Sequence, residues 1–159
     1  MIEILAVLGL PLAGGLVLAV IGERDEAPVV NVVASLLTFA ASIALTVRVI
    51  ADGPLLVLDR QFFVDPFNVF LVALTAFVGF TTSIFSRPYM RIEHERGKLT
   101  AARLRLYHSM YQLFNFTMLV ALLTNNIREW RTGWRRRIDV EALFDVVVDS
   151  CDVGTRKPE

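Results

Sequence analysis

The sequence holds one cysteine and two histidines in 159 residues. A lone thiol, Cys151, excludes an internal disulfide framework and any thiolate-rich metal centre. Two imidazoles supply little material for a histidine-ligated metal. Positive charge is not in excess either: 16 Lys+Arg stand against 16 Asp+Glu, so a nucleic acid would meet no electrostatic footprint. There is no glycine-rich phosphate loop and no Ser/His/Asp elbow pattern. Glu93-His94-Glu95 is the densest run of ligand-type residues, but adjacent side chains on a helix point in different directions and no further ligand lies near in sequence. A solvated charged loop is the reading for it. No catalytic residue, cofactor-binding residue, metal ligand or cofactor is therefore expected.

What is abundant is apolar chain. The apolar fraction is 55% and the mean hydropathy is +0.55, which argues for a membrane protein. The zero net charge conceals a step. Residues 1–127 carry 9 basic and 9 acidic side chains, whereas residues 128–159 carry 7 of each in 32 positions. Within 1–127, four windows contain no Asp, Glu, Lys or Arg: 4–21, 27–47, 66–86 and 106–127. About 20 helical residues span the roughly 30 Å hydrocarbon core, so each window is a candidate span. The windows show no polar face of the kind that a helix at the surface of a soluble protein needs. The first window lacks the positive start of a signal peptide, beginning Met1-Ile2-Glu3, and is read as a retained helix. Pro11 and Gly14-Gly15 at its middle either kink it or admit a close neighbour.

The predicted fold is all-α and integral to the membrane: four transmembrane helices, a short extracytoplasmic β-hairpin over 55–64, a basic loop over 87–105, and a polar tail from 128 to 159. The hairpin reading rests on Leu55–Leu58 and Gln61–Val64 flanking Asp59-Arg60; an interfacial or re-entrant apolar loop is the alternative. Asp65-Pro66 is a good helix start, with Asp as cap and Pro at the first helical position. The basic loop contains Arg87, Arg91, Arg96, Lys98, Arg103 and Arg105. With Arg24 in the first turn that side counts seven Lys/Arg, against Arg48 and Arg60 on the other. The positive-inside rule then puts the N-terminus outside and the basic loop in the cytoplasm of an inner-membrane protein.

Polar chemistry inside the spans is sparse. Arg48, at the end of the second window, is read as snorkelling to the headgroups. His108, Gln112 and Asn115 share one face of the fourth window at helical spacing. Such a stripe either bonds to neighbouring helices or lines a hydrated path. Thr75, Thr81, Thr82 and Ser83 on the third window can bond to their own backbone and carry little signal.

Several runs resemble a known family. Val64-Asp65-Pro66-Phe67-Asn68, the apolar helix after it, Tyr89-Met90-Arg91 with Glu93, then Phe116-Thr117-Met118-Leu119 and Thr124-Asn125-Asn126 are similar to the antiporter-like membrane subunits of complex I and related hydrogenases. Within that family the likeness is to the hydrogenase-4 component F branch, over its N-terminal portion, most strongly across 59–127. The resemblance implies a non-catalytic membrane subunit of a hydrogenase or NADH–quinone oxidoreductase-like complex, one that couples electron transfer to proton or cation translocation. It implies other membrane subunits as partners, with the lipid bilayer around them. The family's ion-moving residues, a glutamate on the fifth helix and lysines or a histidine on later ones, match no position here. After Asn126-Ile127 the family continues into the helix with that glutamate; this chain reads Arg128-Glu129-Trp130-Arg131 instead. Glu141, in a polar setting, is not its equivalent.

The tail has two readings. It is a cap, with Trp130 and Trp134 on an interfacial helix and Val140, Leu143, Phe144 and Val147 forming an amphipathic stripe. Or it is an out-of-frame continuation, and the product a truncated subunit. The composition step, and five tail arginines that erase the seven-to-two loop asymmetry, favour the second. The rival function is a small stand-alone structural or assembly protein whose basic segments bind anionic lipid or a cytoplasmic partner.

Overall fold

A computed structural model describes residues 2–57 and 62–124. Four helices dominate it: α1 (Ile2–Ile21), α2 (Ala27–Asp52), α3 (Pro66–Glu95) and α4 (Ala101–Leu123). Between α2 and α3, β1 (Leu55–Val57) pairs antiparallel with β2 (Phe62–Val64), Leu55 opposite Val64 and Val57 opposite Phe62. The Asp59-Arg60 turn, Asn125-Asn126, the tail with Trp130 and Trp134, and Cys151 lie outside the described residues.

Local chemistry accounts for the helix boundaries. Pro11 lies inside α1, which is continuous through it. Gly14 and Gly15 serve close approach: a Cβ on Gly14 would stand 2.9 Å from the Ala34 Cβ, and one on Gly15 3.4 Å from the Ser109 carbonyl oxygen. Two helices, α2 and α4, thus close onto the same small-residue step of α1. The α2 helix ends at Gly53, whose φ of +87° suits glycine and whose N–H donates to the Val49 carbonyl at 3.0 Å. At the start of α3 the Asp65 carboxylate accepts from the N–H groups of Phe67 (2.9 Å) and Asn68 (2.7 Å). The Asn68 side-chain oxygen in turn accepts from the Asp65 N–H at 2.8 Å, a reciprocal capping box. Replacing Asp65 by alanine is expected to cost about 1 kcal/mol, read as a shift in the unfolding midpoint of the detergent-solubilised chain; an unshifted midpoint would show the cap to be idle.

Two features differ from the sequence reading. The segment 87–105 is mostly helix rather than loop: α3 runs through Pro88 to Glu95, α4 begins at Ala101, and only 96–100 connect them. Charge excludes a residue from hydrocarbon but not from a helix, so a charge-free window marks the membrane-embedded part and not the helix end. Arg48 is the second. The α2 helix continues past it to Asp52, and its guanidinium turns back to bond the Glu3 carboxylate of α1 at 2.6 Å, with Asp52 at 3.7 Å. This charged bond ties the end of α2 to the start of α1.

The helices form a ring in which α1 packs on α2 and α4, α2 on α3, and α3 on α4. Its polarity is inverted relative to a soluble bundle. Large apolar side chains face outward: Val20 is 74% exposed, Phe85 77% and Phe114 62%. The buried face of α2 is instead Ala27, Asn31, Ser35, Thr38, Ser42, Leu45 and Val49, a polar stripe turned inward. Such an arrangement is stable where the outside medium is apolar. α1, α2 and α3 are each long and apolar enough to cross a membrane; α4 is not among the helices that meet both conditions, because His108, Ser109, Gln112 and Asn115 dilute its hydropathy.

The interior is layered along the bundle axis. A wholly apolar cluster occupies the end with the strands: Ile4 and Val7 of α1, Leu45 and Val49 of α2, Val69 and Val72 of α3, Leu119 and Leu123 of α4, closed by Val64. Polar side chains fill the middle. At the far end the α1–α2 turn meets the start of α4, where Arg105 pairs with Glu23 at 3.5 Å.

Candidate functional site

The middle layer is built around Gln112. Its side chain is fully buried, and its Nε2 donates toward the Asn31 carbonyl (3.0 Å), the Asn31 Oδ1 (2.8 Å) and the Ser35 Oγ (2.9 Å) of α2. Asn31 and Ser35 are one turn apart on α2, so both meet one amide of α4. Thr38 and Ser42, further along the same stripe, bond instead to carbonyls of their own helix, Ala34 at 2.8 Å and Phe39 at 2.7 Å. This spends their donors locally and leaves little for another helix.

Asn115 lies one turn beyond Gln112 and turns toward α3. A Cβ on Gly79 would come within 2.6 Å of its Oδ1, so glycine is what lets the two helices meet there. The Tyr111 hydroxyl donates to the Gly79 carbonyl, a polar tie at the same glycine. Between α2, α3 and α4 a cavity of about 10 Å³ is lined by Ser35, Thr38, Gly79, Gln112 and Asn115. That is about the size of one water molecule, with polar partners around it.

His108, one turn before Gln112, is buried against a different space. It contributes to a cleft of about 420 Å³ at the basic end of the bundle, bounded by the α1–α2 turn, the end of α3 and the start of α4. His108 Nδ1 has no hydrogen-bond partner among the described residues.

The six basic residues of the α3–α4 region disperse. Arg87 and Arg91 line the cleft, Arg91 with a long contact to Glu95 at 3.9 Å. Arg96 and Lys98 both turn to Glu93, at 3.7 and 3.3 Å. Arg105 pairs with Glu23 across the bundle end, and Arg103 is on the first turn of α4. His94 is tied to the connection, its Nδ1 2.7 Å from the Leu99 carbonyl oxygen. His108 therefore lines the cleft, while Gln112 and Asn115 line one small cavity, Gln112 bonding α2 and Asn115 lying against α3.

Asn31 and Ser35 escaped the sequence reading, although a signal was present. Asn31, Ser35, Thr38 and Ser42 recur at steps of four, three and four, a helical face that averaged hydropathy does not register. Arg24 enters the sequence reading for orientation only; the fold brings it to the same cleft as Arg87 and Arg91.

Comparison with known proteins places these helices. The chain is 39% identical over 122 residues, 77% of its length, to a hydrogenase-4 component F homolog from Methylacidiphilum infernorum (isolate V4). It covers 24% of that relative's length. No family model matches the chain, and no solved structure matches it. Inverted polarity and three membrane-length helices describe a multi-pass membrane protein, and across those 122 residues the chain is similar to a hydrogenase-4 component F homolog.

Proposed function

We propose that the chain acts as a non-catalytic part of a membrane subunit in a hydrogenase or NADH–quinone oxidoreductase-like complex that couples electron transfer to proton or cation movement. The observation that carries this reading is the 39% identity to a hydrogenase-4 component F homolog, borne by a bundle whose apolar side chains point outward. Its helices support an ion path rather than conduct. The interior polar groups of the middle layer are neutral amides and hydroxyls, and Gln112 is held by three acceptors on α2. A relay needs groups that exchange protons or carry charge; a bonded amide holds two helices in register. Gln112 and Asn115 are accordingly packing residues.

The proposed topology has four spans in the inner membrane, α4 being the fourth, with the N-terminus and the β-strands outside. The seven-to-two Lys/Arg asymmetry supports it, and so does the gathering of Arg24, Arg87, Arg91 and Arg105 at one bundle end. Affinity purification of the full chain from native membranes tests the function. Recovery of hydrogenase or quinone-reductase subunits is expected; a chain that purifies alone from membranes containing those complexes overturns it. For topology, a green fluorescent protein inserted after Gly97 is expected to fluoresce and an alkaline phosphatase there to be inactive. The reverse pattern would invert the orientation.

A further inference from the structure

The cleft at the basic end is unused by the role just described. Its volume, about 420 Å³, is within the range of small-ligand sites. Three arginines from two separate elements line it: Arg24 on the α1–α2 turn, Arg87 and Arg91 on the last turns of α3. Two acidic side chains, Glu23 and Asp25, line it as well. Glu23 is committed to Arg105 at 3.5 Å, and Arg91 is partly committed to Glu95. Arg24 and Arg87 make no ion pair among the described residues, so two guanidinium groups and the carboxylate of Asp25 remain uncommitted in the lining. Within this cleft stands His108, only 3% exposed, with Nδ1 unpartnered.

The same cleft has apolar walls, formed by Pro28, Pro88, Met90 and Leu104. Guanidinium groups match the planar, multidentate geometry of phosphate oxygens. A phosphate held by Arg24 and Arg87, beside the His108 ring, would leave an attached acyl chain to run out over Pro88 and Met90. The geometry points to a binding site for a phosphate-bearing anion between the α1–α2 turn, the end of α3 and the start of α4, of a shape that accepts the headgroup of an anionic phospholipid.

The test uses the full chain in phosphatidylcholine nanodiscs, titrated with dioctanoyl phosphatidic acid, dioctanoyl phosphatidylcholine and inorganic phosphate. The phosphorus resonance of the ligand and the ring-nitrogen resonances of His108 report binding. Phosphatidic acid is expected to bind at least about tenfold more tightly than phosphatidylcholine, and to shift the His108 resonance. The double substitution Arg24→Gln, Arg87→Gln is expected to weaken it at least about tenfold, while Arg103→Gln, outside the cleft, changes it less than about twofold. Inorganic phosphate that binds as tightly as phosphatidic acid, and is lost in the same double variant, upholds the anion site and assigns it to the free ion. Binding at least about tenfold weaker assigns it to lipid. If Arg103→Gln weakens binding as much as the double substitution, the effect is general surface charge and the site does not exist. A His108 resonance that stays unmoved at saturation overturns the site as well. Circular dichroism checks the fold of each variant; if the double variant loses helix, the single Arg24→Gln and Arg87→Gln variants with the His108 resonance decide.

Discussion

Replacing Gln112 by alanine loosens the bundle at its centre and lowers its stability by about 2 kcal/mol. The change removes an amide that reaches Asn31 and Ser35 at 2.8 to 3.0 Å. It leaves those α2 groups facing a void, and it enlarges a cavity of mixed lining that now has room for about one water molecule. Interhelical hydrogen bonds in membranes are individually worth about 0.6 to 1.7 kcal/mol, and the lost packing of a fully buried side chain adds to that. Reversible unfolding in mixed micelles measures it. The cycle with Asn31→Ala separates bond from volume: coupling near about 1 kcal/mol is expected if the amide contact holds the helices. Additive single effects would mean that Gln112 acts by size alone.

An alanine at Gly22 is expected to cost more, about 3 kcal/mol, at the top of the range for overpacking. Gly22 is buried in the α1–α2 turn. A Cβ there would lie 2.9 Å from the Arg105 Cα and 3.1 Å from its carbonyl oxygen, and would also collide with the Leu18 carbonyl. All three are main-chain atoms, so no rotamer change relieves them; α4 must move off α1. Gly9 gives the matched control. It lies in α1, and a Cβ added there would meet nothing within 4 Å, so Gly9→Ala should be neutral, or stabilising by up to about 1 kcal/mol through helix propensity. Equal losses at the two glycines would refute the contact as the cause.

Hydropathy made the helices legible because the bilayer imposes one strong rule on them: charged side chains stay out of it. That rule is blind to direction. The α2 window reads as uniformly apolar, since Asn31, Ser35, Thr38 and Ser42 are uncharged and Ala, Val and Leu between them carry the average. Only their spacing betrays an inward face. The rule is also blind to helix ends in water, which is why α3 was expected to stop at Ser86 and instead continues to Glu95. On α4, spacing put His108, Gln112 and Asn115 on one face. A face meets more than one neighbour, so it could not say that the three side chains serve a cleft, α2 and α3 respectively. The cleft itself joins Arg24 to Arg87, far apart in sequence, and pair counts along the chain carry no such information. The Glu3–Arg48 pair was hidden for the same reason.

The length of α3 has a mechanical consequence. Thirty residues at 1.5 Å each give a rod of about 45 Å, against a hydrocarbon slab of about 30 Å. Arg87, Arg91, Glu93 and Glu95 keep its last turns out of that slab, so the excess emerges as a stiff post rather than being absorbed wholly by tilt. Pro88 sits where the post leaves the lipid, and without an N–H it gives the Ile84 carbonyl no helical partner. Bending is therefore concentrated at the membrane surface. A modest swing at that joint moves the tip by several ångströms, and with it the connection that ties α3 to α4.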